Sequence, residues 1–108
     1  MSFPNTWAAL QTSLKPGTPI QNWTEAKGHV GEDFTIAKVA PEFVEIDAPS
    51  ASNMQRVSRM DFEAVYNEWP KYVSGQTRRP EIRDKTRFSK YVISILHWLE
   101  LQSGGVLP

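Results

Sequence analysis

The hydrophobic period of the chain changes at Ser58, and that change limits the folds open to it more than any other feature. Before it, apolar and polar residues alternate. Phe34, Ile36 and then Lys38 alternate with Asp33, Thr35 and Ala37, and Val44, Ile46 and Ala48 alternate with Glu45 and Asp47. A period of two with one wet face predicts an antiparallel hairpin, joined at Ala40-Pro41-Glu42. Pro49–Asn53 reads as a loop, Met54–Val57 as a third strand, and Ile20–Thr24 as a fourth before a Gly28/Gly31 turn. Strands this close in sequence favour a meander.

After Ser58 the period is helical. Ser58 and Asp61 form a capping-box pattern, followed by Phe62, Val65, Tyr66 and Trp69 at i, i+3, i+4 and i+7. Pro70 lacks an N–H and predicts a kink or stop near Trp69, with Tyr72 and Val73 still packing before Gly75. Pro80 suits the first turn of a short helix over 80–86, and Ser89 is the expected cap of a last helix over 89–102. Tyr91, Val92, Ile93, Ile95, Leu96, Trp98 and Leu99 surround most of that axis, which places it centrally in a small core. At the other end, Asn5 or Thr6 is the expected cap of a helix carrying Trp7, Leu10 and Leu14, stapled by Phe3 and Trp7 and ended by Lys15-Pro16-Gly17. The expected fold is one α+β domain. A three- or four-stranded antiparallel β-meander (17–58) packs against a C-terminal helical unit (59–102). A short N-terminal helix (1–16) precedes it, and a tail (103–108) follows.

Composition removes several chemistries. A chain of 108 residues suits a single core, and 40% hydrophobic content is too high for disorder. No cysteine means no disulfide framework, thiolate nucleophile or Cys-based metal site. The most apolar window, Tyr91–Leu101, is far short of the roughly 20 residues of a membrane span, so no membrane partner is expected. The first residues show neither a basic n-region nor an apolar h-region, so the expected location is cytoplasmic. Asn22-Trp23-Thr24 matches a glycosylation acceptor but carries little weight without a secretion signal. His29 and His97 lack partners at ligand spacing, and there is no Gly-x-Ser-x-Gly elbow and no glycine-rich phosphate cradle. We therefore expect no catalytic residues, no metal and no cofactor.

The informative feature is charge placement. Net charge is zero, from 12 basic and 12 acidic residues, yet residues 1–54 carry three basic against six acidic and residues 55–108 nine against six. Residues 71–90 hold seven basic side chains against Glu81 and Asp84. Arg87, Lys90, Ser94 and His97 fall on one stripe of the last helix, its only polar one, and Arg78, Arg79, Arg83 and Lys85 precede it. Guanidinium groups hold phosphates bidentately, and a helix N-terminus with Thr86, Arg87 and Ser89 adds donors. The candidate nucleic-acid or anion site is thus Arg78, Arg79, Arg83, Thr86, Arg87, Ser89 and Lys90. The plain alternative is a solvent face whose arginines pair with Glu63, Glu81 and Asp84. Trp69, Tyr72 and Trp98 are candidate pocket or interface aromatics, and at helical spacing they also suit a core.

The runs Ser58-Arg-Met-Asp-Phe-Glu-Ala-Val-Tyr-Asn-Glu-Trp-Pro-Lys-Tyr72 and Arg79-Pro-Glu-Ile-Arg-Asp-Lys-Thr-Arg-Phe-Ser-Lys-Tyr91 carry a resemblance. Over about residues 30–100 the chain resembles small, mostly uncharacterised bacterial domains of mobile gene pools. These include integron gene-cassette proteins and units found beside restriction-type nucleases. The resemblance implies a short β-meander leading into a helical unit and a link to DNA. Arg83, Thr86, Arg87 and Ser89 stand at the matching polar positions. The expected function is a non-enzymatic binding module that touches nucleic-acid phosphates through residues 78–90. The alternatives are a protein-interaction domain, with a homodimer as the expected assembly, and a small-ligand protein with an aromatic pocket.

Overall fold

The computed structural model describes residues 2–108. The chain runs α1 (Phe3–Ser13), β1 (Pro19–Ile20), β2 (Trp23–Thr24), β3 (Gly28–His29), β4 (Phe34–Ala40), β5 (Phe43–Asp47), β6 (Gln55–Ser58), α2 (Arg59–Val73), α3 (Arg79–Arg83) and α4 (Ser89–Gln102). The architecture is α+β. Strands β4, β5 and β6 form the meander, and β1 joins it antiparallel to give the order β1-β4-β5-β6.

Alternation builds the sheet, and a bulge corrects it. Ile36 pairs with Ile46 but Lys38 pairs with Glu45, so Ala37 is an extra residue on β4. A strict period of two would put Lys38 on the core face with Phe34 and Ile36. The bulge turns it out beside Glu45, where charge is solvated. Glu45 also pairs with Arg56 at 3.0 Å, the only ion pair among the described residues. The inner face keeps Ile20, Phe34, Ile36, Val44, Ile46 and Val57, all at most 1% exposed.

The expected fourth strand, Ile20–Thr24, splits. Pro19 and Ile20 stay in the main sheet against β4, whereas Trp23 and Thr24 leave to pair with β3 in a separate two-stranded hairpin. Trp23 leaves because α4 offers its backbone and ring better partners than the sheet edge does, as described below. The turn of this hairpin closes through Gly28, whose φ of 72° suits glycine.

The helices differ from expectation at their ends. Ser2 caps α1, not Asn5 or Thr6. Its hydroxyl accepts from the Asn5 N–H, and Pro4 sits in the first turn, where a missing N–H is harmless. Helix α2 runs through Pro70 to Val73. The proline lies one turn from the end, and buried Trp69 and Tyr72 hold that turn against the core. Phe88 caps α4 in place of Ser89, which is already helical and only 2% exposed. The last residues fold back. Leu107 is buried, and the Thr6 hydroxyl donates to the Pro108 carbonyl at 2.7 Å. Trp7 Nε1 and Gln11 Nε2 donate to the carbonyls of Pro41 and Ala40, fixing α1 to the β4–β5 turn.

The Ser58–Asp61 capping box forms as read, and it does more than cap. Asp61 Oδ2 accepts from the Ser58 N–H and hydroxyl, and Asp61 Oδ1 accepts from the Thr86 hydroxyl at 2.7 Å. One carboxylate thus joins the end of β6, the start of α2 and the segment entering α4. Ser58→Ala removes a cap and should cost about 1 kcal/mol. Asp61→Ala also leaves Thr86 without its acceptor and should cost about 2 kcal/mol or more. Urea unfolding of the two variants checks the order; equal losses would show that the Thr86 bond carries no weight.

Candidate functional site

The polar stripe of α4 is not one open face. Arg87 and Lys90 are exposed, but Ser94 is 1% exposed and His97 half-buried. The β2–β3 hairpin covers them. The Trp23 N–H donates to Ser94 Oγ at 3.0 Å, and Ser94 Oγ donates to the Lys90 carbonyl. The Trp23 indole stacks on the His97 ring with centroids 3.7 Å apart and planes 3° from parallel. The lower half of the stripe is therefore a docking seat within the molecule, because a polar stripe on a central helix still has to be covered by something.

The basic residues fare differently from their polar neighbours. Arg78, Arg83, Lys85, Arg87 and Lys90 are exposed and Arg79 is half-buried. None of these six cations forms an ion pair among the described residues, so the alternative of pairing with Glu63, Glu81 or Asp84 does not occur. Thr86 and Ser89 are corrections. Thr86 is buried, donates to Asp61 and accepts from the Phe88 N–H, and Ser89 is buried as well. Both are absorbed by the α3–α4 junction and have no surface for a phosphate. The basic segment is also not uniform. Lys85 shares a cleft of about 290 Å³ with Glu68, Glu81 and Asp84, which makes that side acidic.

Of the three aromatics singled out, Trp69 and Tyr72 belong to the core at 4% and 3% exposure and offer no free stacking face. Trp69 Nε1 donates to Glu100 Oε2 at 2.9 Å, and the Tyr72 hydroxyl accepts from the Glu25 N–H at 3.0 Å. Burial raises the Tyr72 pKa, an effect that the Glu25 N–H and the Arg79 charge oppose. Trp98 stands apart, half-buried beside a smaller cleft of about 250 Å³ with His29, Asp33 and His97.

The aromatic that organises this side of the molecule is Trp23, which no periodicity had marked. It meets Trp69 and Tyr72 at 6.5 and 6.4 Å as well as His97. A single tryptophan between polar residues and a two-glycine turn was the available signal. With it comes a cavity of about 480 Å³ between the hairpin, the loop at Ala48–Ser50 and the start of α4. Arg79 and Lys90 converge on it, with Glu32 as its one acidic lining residue; Trp23, Phe34 and Tyr91 supply apolar wall. Two polar atoms of the lining residues are buried with no partner in the protein, Arg79 Nε and Asn22 Oδ1. The Asn22 amide is held because its Nδ2 donates to the Glu32 carbonyl. Both atoms are sealed from solvent, so neither faces the open space itself.

Among the described residues no cluster of three or more His, Asp or Glu could hold a metal ion, and no helix is long and apolar enough to cross a membrane. Comparisons with protein-family models, curated proteins and solved structures each return no match. The site must be read from its own chemistry.

One pH dependence follows. Burial, helped by neighbouring His29, pushes the His97 pKa below its ordinary value near 6.5. The unfolded chain then binds a proton at a pH where the folded chain does not. The stability this represents is complete above about pH 6.5 and declines as pH falls through it. The urea midpoint should be lower at pH 5.5 than at pH 7.5, and His97→Gln should shrink that difference. An undiminished difference in the variant would place the titration elsewhere.

Proposed function

We propose that this chain is a non-enzymatic binding module for phosphate-bearing ligands, nucleic acid foremost, working through the basic segment 78–90. The observation that carries the reading is six cations in thirteen residues with no carboxylate partner, five of them exposed. Cations that form no internal pairs keep their charge for a partner, and guanidinium groups match phosphate geometry. The contacting set is Arg78, Arg79, Arg83, Arg87 and Lys90, with Thr86 and Ser89 supporting the backbone between them. Zero net charge and the acidic cleft at Lys85 limit the contact to a few phosphates and oppose indiscriminate coating. The resemblance to bacterial domains of mobile gene pools is in keeping with this reading, and so is a cytoplasmic setting.

Fluorescence anisotropy with a labelled single-stranded and a labelled duplex oligonucleotide at low salt tests the proposal. Binding should weaken steeply as salt rises, and Arg83→Ala/Arg87→Ala should weaken it roughly tenfold while flattening the salt slope. Absence of binding to either oligonucleotide, or equal affinity in the double variant, would overturn it.

A further inference from the structure

The cavity under the hairpin is more specific than a basic surface requires. Its volume of about 480 Å³ lies within the ordinary range for small-molecule sites. Its chemistry is divided. Arg79 and Lys90 provide positive charge, and Trp23 and Tyr91 contribute aromatic surface. A bare phosphate would use the cations and leave the aromatic wall idle. A neutral aromatic would leave the cations idle. A ligand that uses both has an anionic group and a flat ring.

We propose that the cavity binds one nucleoside monophosphate unit, free or at the end of a single strand. The phosphate meets Arg79 and Lys90, and the base lies against Trp23 and Tyr91. Glu32, the lone carboxylate of the lining, leaves two cations against one anion. That balance suits a monophosphate better than a triphosphate, whose added charge the carboxylate repels. The inference rests on the reading that Arg79 and Lys90 receive phosphate, and it adds a pocket for a base to it.

Isothermal titration calorimetry with AMP, ATP, adenosine and ribose 5-phosphate tests it on the full chain. AMP should bind more tightly than the other three. Lys90→Glu, at an exposed position, should weaken AMP by about tenfold or more, and Arg79→Gln likewise. Lys85→Ala, outside the cavity, should leave AMP unaffected. Circular dichroism checks folding; if Arg79→Gln does not fold, Lys90→Glu alone decides. Preference for an oligonucleotide with a 5′-phosphate over its 5′-hydroxyl twin would support the site and name a strand end as its source. Equal affinity for the twins, with AMP bound, would support a free nucleotide. Ribose 5-phosphate or adenosine binding as tightly as AMP would overturn the proposal. So would oligonucleotide binding without AMP binding, which leaves the basic-surface function standing. If neither ligand binds, both proposals fall.

Discussion

Helix α4 has seven buried residues in fourteen, and they lie on more than one side of its axis. Val92, Ile93, Ile95 and Leu96 are all fully buried, so the helix cannot rest on a single surface and leave the rest wet. In a chain of 108 residues several elements are drawn over it: α1, α2, α3, β1 and β2 all pack against it. The sheet, α1 and α2 share one continuous core with it. The remaining side carries Ser94 and His97, and the β2–β3 hairpin seals it with one backbone hydrogen bond and one ring stack. Apolar burial drives the arrangement, and the polar contacts determine which segment covers which side.

The cavity is a consequence of that cover. The hairpin seats on Ser94 and His97, while Lys90 and Tyr91, a turn earlier, line open space with Trp23. Arg79 reaches the same space because the segment entering α4 is held in place. Thr86 binds Asp61, which also caps α2, and Phe88 in turn binds Thr86. The polar residues of the α3–α4 junction therefore divide by role. Buried Thr86 and Ser89 shape the chain, and exposed or half-buried arginines and lysines face what lies outside it.

Much of the fold was legible in the residues. The meander, the Ser58–Asp61 box and the central last helix follow from local period and capping chemistry, which act within a few residues. The departures share a cause. Lys38 faces outward because the β4–β5 pairing sets it opposite Glu45 across a bulge, and Ile20–Thr24 splits and α2 continues through Pro70 because of partners distant in sequence: Ser94 and His97 on α4, and the core under Trp69. The candidate site was legible by halves. The charge of residues 78–90 could be counted, but the Trp23–His97 stack joins positions 74 apart and leaves no periodic trace.

By itself, the sequence determined which segments are strands and helices, which helix must be central and where positive charge accumulates. Those properties depend on side-chain type and near-neighbour spacing alone. Only the tertiary structure decided that the arginines of residues 78–90 stay unpaired among the described residues, that Thr86 and Ser89 are enclosed, and that Arg79, Lys90, Asn22 and Trp23 share one cavity. Those outcomes depend on which distant groups come within about 4 Å of one another, the range at which hydrogen bonds, ion pairs and ring contacts take hold.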